Sequence, residues 1–143
     1  TLVKQQGWHA GLRSQPETIQ PDNDVIVLDS MGELMSFYRV SDYAFVGASL
    51  VPIGGHNVLE PIALQIPVFC GPYMQNAKAI CEALVSQRAL QQCGSAVELA
   101  DKLMMLHQNP NERIEQITRA SAVLHANRGT VDRYWQQIKA IMP

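Results

Sequence analysis

Gly54-Gly55-His56-Asn57 runs straight into Val58-Leu59-Glu60-Pro61, and these residue types in this order suit recognition of an anion and a sugar. Two adjacent glycines let the backbone approach a ligand closely. A helix opening just after them presents N–H groups and the positive end of its dipole, which is an anion site. A proline is tolerated only in a first turn, so Pro61 means that this helix begins no earlier than Asn57. Glu60 then also stands in the first turn, where one carboxylate can accept hydrogen bonds from two neighbouring ribose hydroxyls. A plainer reading stands beside it: Asn57 and Glu60 form a capping pair, and Gly54-Gly55 is only a turn. The residues alone leave both open.

Three further features invite the same double reading. Asp29-Ser30-Met31-Gly32-Glu33 satisfies S-x-x-E, and a capping box is the first expectation for Ser30 and Glu33. His56 can bind phosphate or act as an acid, but a lone loop histidine is more often a hydrogen-bonded structural residue. Lys78 can reach a phosphate or a sugar carboxylate, although an exposed helix lysine is the default. Metal and disulfide chemistry find no support. His9, His107 and His125 lack partners at ligand spacing, and Cys70, Cys81 and Cys93 are odd in number without C-x-x-C spacing, which fits a reducing cytosol. Trp8, Tyr134 and Trp135 read as core or interface residues.

The elements that must hold these residues follow from the apolar pattern. Val25–Leu28, Tyr43–Val46 and Pro67–Cys70 are apolar on consecutive positions, as in strands covered on both faces. Short helices fit between them at Glu33–Val40 and Asn57–Leu64, and this β-α-β-α-β rhythm predicts a parallel, doubly wound sheet. Ligands in such sheets bind beyond the carboxyl ends of the strands, so the loops after Leu28, Val46 and Cys70 are where a site belongs. Downstream the chain turns helical: Ala77–Gln87; a run capped by Ser95 with Glu98; a helix opened by Pro110 with Ile114, Ile117 and Leu124 on one face; and a last helix capped by Thr130, after Gly129, carrying Val131, Tyr134, Trp135 and Ile138. Gly7–Ser14 is a weak strand candidate, and Thr1–Gln6 resembles the tail of a helix.

With 143 residues and 47% apolar content, the chain suits one domain spanning residues 1–143. Its net charge of -2, from 11 basic and 13 acidic residues well mixed, gives no field to gather nucleic acid or an anionic membrane. No apolar run approaches the roughly 20 residues of a membrane span. A first residue of Thr1 suggests a piece of something larger, truncated at its N-terminal side.

The run Phe45-Val-Gly-Ala-Ser-Leu-Val-Pro-Ile-Gly-Gly-His-Asn-Val-Leu-Glu-Pro-Ile-Ala-Leu-Gln-Ile-Pro-Val-Phe-Cys-Gly-Pro72 resembles the signature of the 3-deoxy-D-manno-octulosonic acid (Kdo) transferases of Gram-negative bacteria. Asp29-Ser-Met-Gly-Glu-Leu34 resembles that family's second motif, and Asn76-Ala77-Lys78 and Asn127-Arg128-Gly129 are also similar. The resemblance implies the C-terminal, donor-binding domain of a GT-B glycosyltransferase, a Rossmann-like fold. It implies that Met31, Gly32, Glu33, Asn57, Val58, Leu59 and Glu60 contact the CMP of CMP-Kdo, with Ser49, Gly54, Gly55, His56 and Lys78 as further donor contacts. It implies no cofactor, and no catalytic residue in this chain, since acceptor and base lie on an N-terminal domain. The reaction joins Kdo to a lipid A precursor at the cytoplasmic face of the inner membrane, for lipopolysaccharide; the fragment alone is expected to be soluble and inactive. Two departures stand out: Ala48 where the family commonly has glycine, and Val58 where proline is usual. Competing expectations are the UDP-sugar half of another GT-B transferase or epimerase, and a Rossmann-like module that docks a partner protein.

Overall fold

Each of the three apolar runs becomes a strand in the computed structural model, which describes residues 2–127. The chain divides into two compact units, residues 1–40 and 41–143. In the first, α1 (Leu2–Gln5) precedes β1 (Ala10–Leu12), a 3-10 turn at Pro16–Thr18, β2 (Val25–Val27) and α2 (Leu34–Arg39). The strands pair in parallel, with Ala10 opposite Val25 and Leu12 opposite Val27, so the weak candidate at Gly7–Ser14 is a real strand. Gly11 is the one buried residue among the described part of this unit. Its lack of a side chain is required, because a Cβ there would lie 2.8 Å from the Asn23 amide oxygen and 3.0 Å from the Thr18 carbonyl.

The second unit carries β3 (Ala44–Val46), α3 (Leu59–Ala63), β4 (Val68–Cys70), a 3-10 turn at Gln75–Ala77, α4 (Lys78–Ser86), β5 (Gln91–Gln92), α5 (Ala96–His107) and α6 (Pro110–Asn127). Its sheet has the order β3-β4-β5 and every pairing is parallel, as helical crossovers demand. Fully buried Val68, Phe69 and Cys70 make β4 the centre of the core. Phe69 packs with Cys93 and Leu106, and Tyr43, Leu99 and Leu103 close around them. The α5 start is as predicted: Glu98 N–H donates to Ser95 Oγ at 3.1 Å. The Glu98 carboxylate meanwhile accepts from Gly94 N–H at 2.6 Å.

Two expectations need correction, and Trp8, read as core or interface, is not core. Strands covered on both faces hold for β4 only, since Ile26 of β2 is 45% exposed and Phe45 of β3 is 39% exposed. The buried face of α6 is Gln116, Ala120 and Val123; Ile114 is 62% exposed, because a helix rotated to bury Gln116 turns Ile114 outward. Buried Gln116 is satisfied by the Gln91 side chain at 2.9 Å and the Val68 carbonyl at 3.4 Å, as a buried amide must be. Trp8 lies outside the core at 56% exposure. Tyr134, Trp135 and the predicted last helix lie outside the described residues.

Candidate functional site

The Gly54-Gly55 turn is built against the loop that follows β4. Gly54 has φ +107° and Gly55 φ +70°, in the left-handed region that glycine alone enters without strain. A side chain on Gly54 would collide with Asn76, and one on Gly55 with Met74. Asn76 holds the turn from outside: its N–H donates to the Gly54 carbonyl at 3.1 Å and its Nδ2 to the Gly55 carbonyl at 3.2 Å. From inside, Gly55 N–H donates to the Ala48 carbonyl at 2.8 Å. Ala48 itself has φ +58°, which explains why glycine suits this position and what the methyl costs: about 1 kcal/mol of backbone strain.

Ser49 sets the depth of the loop rather than its surface. Its side chain is fully buried; the hydroxyl donates to the Val46 carbonyl and accepts from Gly71 N–H at 2.7 Å. Its own carbonyl accepts from Tyr73 N–H at 3.0 Å. The loops after β3 and β4 are thereby joined at the carboxyl ends of their strands, where ligands of parallel sheets bind.

Between these loops runs a groove of about 470 Å³ lined by Gly55, His56, Asn57, Leu59, Asn76, Ala77 and Ile80. His56 and Asn57 are exposed on its wall. At its rim Asn57 is shared: Leu59 N–H donates to its Oδ1 at 2.9 Å, and its Nδ2 donates to Glu60 Oε1 at 3.1 Å. The two side chains are thus paired, but as no capping box: α3 runs only over Leu59–Ala63 and its N-cap, Val58, makes no side-chain cap bond. Asn57 takes the Leu59 N–H from one residue further out, so the expected open helix end is partly closed. Glu60 remains half-buried, while Val58 is fully buried and presents no surface of its own to a ligand. Lys78 lines a separate groove of about 500 Å³ with Pro72, Met74, Gln75 and Glu82, and pairs loosely with Glu82 at 3.9 Å.

In the first unit the loop after β2 is organised by polar side chains. Ser14 N–H and Oγ reach the two oxygens of Asp29 at 2.8 and 2.6 Å. Arg13 donates to Glu33 Oε1 at 2.7 Å, and Ser30 Oγ donates to the other Glu33 oxygen. Those hydrogen bonds hold the Asp29 and Glu33 carboxyls below their ordinary ranges, with Ser14 the main cause for Asp29, and Ser30 followed by Arg13 for Glu33. The S-x-x-E pair is therefore no capping box, for α2 begins without a side-chain cap. Arg13, twenty residues away in sequence, is the partner that spacing could not reveal. At the loop apex Met31 is 97% exposed and Gly32, at φ +85°, borders open space.

The thiols are inert packing groups. Cys70, Cys81 and Cys93 are free and buried, and burial, then the neighbouring thiols, pushes Cys70 up to about 12. Among the described residues no cluster of side chains suits a metal ion, and no helix is long and apolar enough to cross a membrane.

No family model matches the chain. It is 37% identical over 139 residues to 3-deoxy-D-manno-octulosonic acid transferase of Haemophilus influenzae, covering 96% of this chain and 33% of that protein. It is 32% identical to the Chlamydophila psittaci transferase of the same name over 143 residues, 99% of this chain and 33% of the relative. The chain thus spans about a third of the length of the curated relatives it matches. Among solved structures, its fold is similar to that of the C-terminal CMP-Kdo binding domain of WaaA from Acinetobacter baumannii. There the TM-score is 0.82 at 31% identity, covering 86% of this chain and 64% of the other.

Proposed function

We propose that this chain, a member by sequence and by fold of the Kdo transferase family, is the part that binds the nucleotide-sugar donor, CMP-Kdo. The observation that carries the proposal is the fold similarity to a CMP-Kdo binding domain, with the Gly54–Glu60 run at the carboxyl edge of the sheet. The candidate CMP contacts are, in the first unit, the Met31-Gly32-Glu33 loop and, in the second, the Asn57–Glu60 segment. Glu60 accepts from the ribose hydroxyls through the carboxylate oxygen that Asn57 leaves over. Gly54, Gly55 and His56 border the phosphate, and Lys78 meets the acidic sugar from the separate groove that it lines. Ser49, Gly54 and Gly55 act by shaping the floor, through hydrogen bonding and close backbone approach.

In the whole enzyme the acceptor, a lipid A precursor, sits on an N-terminal domain at the cytoplasmic face of the inner membrane. A carboxylate there deprotonates the attacking sugar hydroxyl, Kdo transfers with inversion, and CMP departs with its charge met by preorganised donors of this domain. The domain by itself binds donor and catalyses nothing. Glu60→Ala in the full-length enzyme should raise the donor KM about tenfold, the loss of hydrogen bonds to a charged acceptor. Glu60→Gln, which preserves shape, should recover part of it. An unchanged donor KM in both variants would remove the ribose role.

A further inference from the structure

We infer that Arg13 is a positioning residue for the nucleotide, acting through Glu33 on the Met31-Gly32 apex; this rests on the donor reading above. Residues immediately after β1 grip the loop after β2 repeatedly. Arg13 N–H donates to the Val27 carbonyl at 2.9 Å, Ser14 holds both oxygens of Asp29, and the Arg13 guanidinium and Ser30 hydroxyl take one Glu33 oxygen each. What these contacts leave projecting is the apex, Met31 and Gly32. No apolar packing does this work, since neither residue of the pair is buried and both side chains are about a third exposed, 38% and 34%.

Two consequences follow for an anionic ligand. A loop fixed before the nucleotide arrives loses less conformational freedom on binding. A Glu33 carboxylate without Arg13 would also present an uncompensated negative charge to an anionic ligand; the guanidinium offsets it through one N–H to Oε1, and Ser30 on the other oxygen fixes the carboxylate's orientation. Lysine would keep the charge on a head of different shape and reach.

Titration of CMP into the chain, with backbone amide relaxation measured without ligand, tests this. Arg13→Ala should weaken CMP binding about fivefold to tenfold and lower the order parameters of Met31 and Gly32; Arg13→Lys should recover part of both. Arg13→Ala and Glu33→Ala should be strongly non-additive when combined, because they remove one contact. Full additivity, or unchanged order parameters at the apex in the folded Arg13→Ala chain, overturns the inference while leaving CMP binding by the unsubstituted chain intact. Should the unsubstituted chain bind no CMP while the order-parameter effect is present, the donor reading itself is overturned.

Discussion

The two units hold the loops proposed to meet the donor by opposite means. In residues 41–127 the loops after β3 and β4 hang from a sheet whose central strand is wholly buried, and they are joined by a serine with no solvent exposure. In residues 2–40 Gly11 is the only buried residue, and the loop after β2 is held by Arg13, Ser14 and two partly exposed carboxylates. Hydrophobic burial is indifferent to pH and salt, whereas exposed ion pairs are screened and titrate. One loop pair is therefore set by the core, and the other by conditions as well as by sequence.

Core substitutions should separate the units most. Phe69→Ala removes a fully buried ring and should cost about 3–5 kcal/mol in denaturant unfolding. Ile26→Ala, on the half-open β2, should cost about 1 kcal/mol; equal costs would show that the first unit has a core of its own. Ser49→Ala comes next, because it strands Gly71 N–H and the Val46 carbonyl in the interior. A loss of about 1–3 kcal/mol is expected, and a neutral result would mean that the two loops are not joined through this hydroxyl.

Acid acts in the other unit, by a smaller effect. Asp29 and Glu33 titrate below their ordinary values of 3.8 and 4.5 when folded, so their contribution to stability is complete above those values. It is lost as pH falls through the folded ones, when the unfolded chain has already taken up its protons. The amide of Ser14, bonded to Asp29, should lose protection below about pH 4, and added salt should bring the loss on earlier. Glu98, lowered by Lys102 and by Gly94, makes the α5 start respond with the same sign, while amides of β4 keep their protection. Acid loss at β4 before Ser14 would reverse the comparison.

What the sequence disclosed divides along the same line. Strands β2, β3 and β4 were legible as continuous apolar runs, although only β4 is buried on both faces. Strand β5 was not: Gln91 and Gln92 are polar, and only the pairing of Phe69 with Gln91 and Cys70 with Gln92 makes them a strand. Gln116 was not singled out because a buried amide looks like a surface residue until its partners, Gln91 and Val68, are in place. The Gly54-Gly55 turn was readable, since its chemistry is local. Arg13 was not, because its role depends on β1 and β2 lying side by side; the signal was a cation directly after one strand and a carboxylate just past the next, an order that acquires meaning only from parallel pairing.

The most direct measurement is a residue-by-residue amide chemical-shift titration of the chain with CMP and, separately, with UDP. Shifts at Met31, Gly32 and Glu33 and at Asn57–Glu60, saturating with one Kd and tighter for CMP than for UDP, are the predicted result. Tighter binding of UDP, or silence of both loops to either nucleotide, would contradict it.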